Sequence, residues 1–116
     1  MKRLRVGIIN DTRNAHHMGC WLVMRNLFRL LREHEMKVNW CWPTGRDWRE
    51  DRHLDRRGNV DLVLVNAEGS IHDSHKHQLA ERFASIARHF RNRYSVPCVL
   101  INSTLYNNES FIYDLL

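Results

Sequence analysis

The chain has 116 residues, 43% of them hydrophobic, and a formal charge of +5 with histidine neutral. That length supports one core, the apolar share excludes a disordered chain, and no apolar run approaches the ~20 residues of a membrane span. Three cysteines, Cys20, Cys41 and Cys98, with no C-x-x-C pair, argue against a disulfide framework or a thiolate zinc site and read as small core hydrophobes.

The start, M-K-R-L-R-V-G-I-I-N, carries basic residues but only a strand-length apolar run, so it is not a signal peptide and the expected location is cytoplasmic. The positive charge favours anionic partners. The arginines of 46–57 alternate with Asp47, Glu50, Asp51 and Asp55, which describes a solvated face and argues against a nucleic-acid groove.

Leu4 to Ile9 reads as a first strand, and Asn10 to Met18 as a polar loop. After Gly19, the positions Cys20, Val23, Met24, Leu27, Leu30 and Leu31 recur at helical spacing, and the pattern ends near His34. Lys37 to Trp42 is a second strand, closed by Pro43, Thr44 and Gly45. Asp47 to Arg57 offers only Trp48 and Leu54 for burial and predicts a short helix or an irregular crossover. Trp40, Trp42 and Trp48 either stack on a base or sugar or pack the edge of the sheet, and packing is the commoner use.

Val60 to Val65 is a third strand, and its unbroken apolar run suits a position covered on both faces. It gives way to Asn66, Ala67, Glu68, Gly69, Ser70 and His72. His75 to Tyr94 is a helix with Leu79, Phe83, Ile86, Ala87, Phe90 and Tyr94 on one stripe and Asp73 or Ser74 as its cap. Cys98 to Ile101 is a fourth strand, followed by a polar loop over 102–107 and an amphipathic pattern from Asn108 or Glu109. That last pattern reaches Leu116 without a stop signal, so the chain reads as part of something larger, or as a short protein with a brief final helix.

Alternating strands and helices imply right-handed crossovers and a parallel sheet of at least four strands in a three-layer, Rossmann-like or flavodoxin-like α/β domain with helices on both faces. With the order 2-1-3-4, the loops after strands one, three and four meet at one edge, where such sheets bind ligands. Each of these loops opens with asparagine, Asn10, Asn66 and Asn102, which serves either turn geometry or a ligand's hydroxyls.

Glu68 could act as a base or hold hydroxyls, against the plainer reading of a carboxylate bonded to loop amides. His72 could be an acid or a phosphate donor, against packing at a helix start. Gly69 and Ser70 could receive an anion at that helix start, against a tight turn. His16 and His17, before Gly19, could meet an anionic group, against simple loop residues. His72, Asp73, His75 and His77 do not make a zinc site, because His75 and His77 are two apart on a helix and no second ligand cluster exists. No dinucleotide or P-loop glycine motif follows the first strand, so no cofactor is expected.

The run L-V-L-V-N-A-E-G-S-I-H resembles the N-G-E-G-(S/T)-(L/I)-H-H signature of polysaccharide pyruvyl transferase-like proteins. N-A-H-H-M-G-C-W-L-V-M-R-N-L is similar to that family's "H-x-G-C … L" segment, and V-P-C-V-L-I-N-S-T-L-Y to its "P-V-V-L-I-N-A-T" segment. The resemblance implies the N-terminal Rossmann-like half of a two-domain, glycosyltransferase B-like enzyme whose C-terminal half is missing. It implies pyruvyl transfer from phosphoenolpyruvate to a sugar or glycan acceptor, with Glu68 and His72 catalytic and Asn10, His17, Gly19, Asn66, Gly69, Ser70 and Asn102 binding substrate. Two positions depart from the pattern: Ala67 stands where the family has glycine, and Asp73 where it has a second histidine. The alternative from a different class is a non-enzymatic α/β module that binds an anionic partner.

Overall fold

The computed structural model describes residues 2–50, 59–68, 77–103, 110 and 114. Its elements are β1 (Arg5–Asp11), α1 (Met18–Glu33), β2 (Lys37–Pro43), a 3-10 turn (Trp48–Glu50), β3 (Leu62–Asn66), α2 (His77–Tyr94) and β4 (Cys98–Ile101). The four strands form one sheet in the order β2-β1-β3-β4, and every neighbouring pair is parallel. The expected α/β architecture and strand order are therefore those observed. The uncertain crossover contributes the 3-10 turn, and the expected caps Asp73 and Ser74 and the final amphipathic pattern lie outside the described residues, apart from residues 110 and 114.

Period-two alternation distributes the strands' side chains between two cores. Val6, Ile8 and Leu64 pack with Met24 and Leu31 of α1. Ile9, Val63 and Val65 pack with Ala80, Phe83, Ala84, Ile86 and Phe90 of α2. A fully buried side chain of this kind contributes about 2–3 kcal/mol by its removal from water.

Two boundaries differ from the sequence pattern. β1 runs on to Asp11, which pairs with Pro43, and the Asp11 carbonyl accepts from the Thr44 amide at 2.9 Å. β3 starts at Leu62, because Asp61 is occupied with Arg5. Its carboxylate accepts from the Arg5 amide at 2.8 Å and from the guanidinium at 2.9 and 3.1 Å.

A register shift in β2 sets the position of the tryptophans. Val6 pairs with Val38 but Gly7 pairs with Trp40, so Asn39 is an extra residue and the strand rotates after it. Trp40 thereby turns toward the α2 side, where its ring stacks on Phe90 at 5.9 Å. Its indole covers Gly7, and a methyl group there would sit 2.1 Å from Trp40 Cζ2. Trp42 and Trp48 belong to the same core, and Trp48 Nε1 donates to the Arg82 carbonyl at 2.8 Å. The packing reading of all three tryptophans is the one the structure supports.

Helix α1 starts at His17, whose extended backbone and Nδ1, accepting from the Cys20 amide at 3.4 Å, form the cap. Gly19 leaves space for that ring, since a Cβ there would lie 2.9 Å from His17 Cε1. The helix ends on Glu35 in the left-handed region (φ 56), with the Met36 amide donating back to the Leu31 carbonyl at 2.8 Å.

Candidate functional site

Parallel strands place the carboxyl ends of β1, β3 and β4 side by side, so Asn10, Asn66 and Asn102 arrive at one edge. Asn10 and Asn102 have left-handed backbones (φ 64 and 49), as the turn reading of asparagine expects. Among the described residues, their side chains bond across strands and not within their own loops. Asn10 Nδ2 donates to the Asn66 carbonyl at 2.6 Å, and Asn66 Nδ2 donates back to the Asn10 carbonyl at 3.2 Å. Asn102 Nδ2 donates to Asn66 Oδ1 at 3.2 Å. Asn66 is fully buried and joins all three strand ends.

Glu68 stands on this platform. Its amide donates to the Asn102 carbonyl at 2.8 Å, which extends the β3–β4 ladder past the strands. Its backbone is left-handed (φ 46). Oε1 accepts from Thr12 Oγ1 at 2.8 Å and from Asn66 Nδ2 at 3.2 Å. Among the described residues, the partners of the carboxylate are side chains, with the Cys20 thiol beside it as well. An open depression of about 530 Å³ is lined by His17, Gly19, Cys20, Val23, Glu68, Asn102 and Ser103.

Ala67 resolves one departure from the family pattern. The left-handed residue of this turn is Glu68 and not Ala67, so alanine carries no backbone penalty there. Its methyl group is fully buried in the α2-side core. Asp73, the other departure, lies outside the described residues.

Four expected site residues, His17, Gly19, Glu68 and Asn102, surround the depression. Asn10 and Asn66 lie beneath it as its support. Gly69, Ser70 and His72 lie outside the described residues. Sequence reasoning missed Thr12 and Ser103. Thr12 sits two residues past the strand-end asparagine of β1, which is the one local signal that could have drawn attention to it.

All three thiols, of which only Cys20 lines the depression, are raised above their ordinary value. Burial pushes the Cys20 thiol up, and the Glu68 carboxylate pushes it further in the same direction. Burial raises Cys41 to about 11 and Cys98 to about 12. Burial would also raise Asp11, but its bonds from Arg13, the shortest at 2.6 Å, outweigh it and hold the carboxyl below its ordinary value. The site therefore offers a carboxylate and hydrogen-bonding groups rather than a nucleophilic thiol. Among the described residues no three His, Cys, Asp or Glu side chains are grouped to hold a metal ion, and no helix is long and apolar enough to cross a membrane.

Comparison with protein-family models, curated proteins and solved structures finds no match to the chain.

Proposed function

We propose that this domain binds a sugar acceptor over the carboxyl ends of β1, β3 and β4 and, completed by a second domain, contributes to pyruvyl transfer from phosphoenolpyruvate. On this reading it works in the cytoplasm, in exopolysaccharide biosynthesis. The observation that carries the reading is the Glu68 carboxylate, held through one oxygen by Thr12 and Asn66 in the wall of an open depression. Carboxylates and amides that share such a surface suit sugar hydroxyls, which both donate and accept.

The reaction assigned to the site is ketal formation. His72 as imidazolium gives a proton to the enol CH2 of phosphoenolpyruvate, and Glu68 takes the proton of the attacking sugar hydroxyl. The sugar oxygen bonds to the central carbon. Phosphate leaves with the electrons of its C–O bond. A second hydroxyl closes the ketal and loses its proton to the phosphate, and the proton on Glu68 returns to His72 through solvent.

The non-enzymatic alternative draws its support from the basic outer face of α1, which is a different surface. An amide-resolved NMR titration separates the two. With phosphoenolpyruvate and then simple sugars, the amides of Gly19, Glu68 and Asn102 are expected to shift together and saturably. A well-dispersed spectrum in which those three ignore both ligands removes the transferase reading.

A further inference from the structure

We infer that the outer face of α1 docks on the surface of an anionic phospholipid bilayer. The inward stripe of α1, Met24 and Leu31 with Leu27 and Phe28, satisfies the sheet. The opposite stripe is not the polar face that a solvated helix normally presents. It carries Met18, Trp21 and Leu22, which are 72%, 44% and 50% exposed. The same stripe continues with Arg25, Arg29 and Arg32, all exposed.

The residues follow one another at helical spacing: 18, 21, 22, 25, 29, 32. Apolar groups therefore cluster toward the start of the helix and cations toward its end, on one face, where Trp21, Leu22, Arg25, Arg29 and Arg32 line an open depression of about 970 Å³. Among the described residues Arg25 and Arg32 have no carboxylate partner. Arg29 is bridged by Glu33 at 2.7 Å, and Arg13 by Asp11. The Arg25 guanidinium lies 5.3 Å from the Trp21 ring centroid, which keeps that indole beside a cation at the surface.

A partner for this face must accept apolar insertion, carry negative charge and conform to an open depression. An anionic bilayer does both: Trp and Leu enter the headgroup boundary while arginine stays with the phosphates. A folded acidic protein would need a projection fitted to that depression, whereas lipid headgroups conform to it, and a nucleic-acid backbone gives Met18 and Leu22 nothing apolar to enter. His17, which lines the depression, directly precedes Met18, so docking in this way brings the mouth of the strand-end site to the membrane surface.

The test is co-sedimentation of the whole chain with phosphatidylcholine vesicles, with and without about one third phosphatidylserine, at about 0.1 M and about 0.5 M salt. The chain is expected to pellet with the anionic vesicles only, and to be released by salt. The double variant R25Q/R32Q should weaken binding about twenty-fivefold, from about fivefold for each surface cation. W21A/L22A should weaken it independently, and Trp21→Phe should abolish any blue shift of tryptophan emission on binding, since Trp42 and Trp48 are already buried and Trp40 is stacked on Phe90 in the α2-side core. All these positions are exposed, and circular dichroism checks that each variant folds. Three results overturn the inference: no pelleting with anionic vesicles, equal pelleting with neutral ones, or no effect of R25Q/R32Q. Tighter binding to soluble polyglutamate or to duplex DNA than to vesicles also overturns it and reassigns this face of α1 to an acidic protein or a nucleic acid.

Discussion

The side-chain amide of Asn10 and the main-chain carbonyl of Asn66 meet at 2.6 Å, in a buried position, across the boundary between β1 and β3. Asn66 returns a bond to the Asn10 carbonyl, so two polar residues do at the strand ends what the ladder does within the sheet. Removing Asn66 as Asn66→Ala strands the Asn10 carbonyl and the Asn102 amide together and should cost about 2–4 kcal/mol. Asn10→Gly keeps the left-handed backbone and loses only the amide, so it should cost about 1–2 kcal/mol. Urea denaturation of the two variants checks both the sizes and their order.

Gly7 gives a second test. Any side chain there meets the Trp40 ring at 2.1–2.5 Å, and that ring is held against Phe90. Gly7→Ala should cost about 1–3 kcal/mol by overpacking. In a Trp40→Leu background the ring is gone and the same substitution should cost less than about 1 kcal/mol. A double-mutant cycle in thermal or urea unfolding reads this coupling.

Acid stability should depend on Asp61. Its bonds from the Arg5 guanidinium and amide, in that order, hold its carboxyl well below the ordinary value of 3.8. A depressed carboxyl adds stability that is present above 3.8 and lost as pH falls through the lower folded value. Melting temperature should therefore fall more steeply below about pH 4 in the native chain than in Asp61→Asn, while the two curves run parallel above about pH 5. Equal slopes in the acid range would mean that the Arg5 pairing does not influence folding.

Thr12 is a positioning residue on the proposed reading. Thr12→Val keeps the shape and removes the hydroxyl that donates to Glu68 Oε1. Affinity for an acceptor sugar, followed by amide shifts, should drop about tenfold, which corresponds to one hydrogen bond to a charged group. Thr12→Ser should restore it. Stability should change by less than about 1 kcal/mol in either case, because a solvent-facing carboxylate can recruit water. If the valine variant loses stability and not affinity, the hydroxyl belongs to the fold.

Much of this architecture was legible in the chain because local pattern and global arrangement agree. Leu62 to Val65 has no polar alternation, and it is a strand covered on both faces. The period of α1 and α2 foretold most of what they bury, but Leu30 of the expected stripe is exposed, and the buried Ala80 and Ala84 lay outside it. What was not legible depended on partners far along the chain. Asn10 and Asn66, like Thr12 and Glu68, are 56 residues apart, and no local signal says that they bond. The extra residue Asn39 was likewise hidden, since alternation along K-V-N-W-C-W reads equally well without it, and only the pairing with Gly7 reveals that the strand rotates. Nor does the sequence show which residue of N-A-E takes the left-handed backbone: Ala67 stands at the family's glycine position, yet Glu68 has the positive φ.

The left-handed backbone at Glu68 makes that position a double readout. For the turn alone, glycine is the ordinary occupant and asparagine the next, and a carboxylate adds nothing to the backbone geometry. A saturation library sorted once for folded chains and once for ligand capture would give two tolerance profiles at position 68. If they part, with glycine and asparagine surviving the first sort and glutamate alone the second, the side chain is retained against the preference of its own backbone. If they coincide, the carboxylate is a structural tie between Thr12 and Asn66 and nothing more.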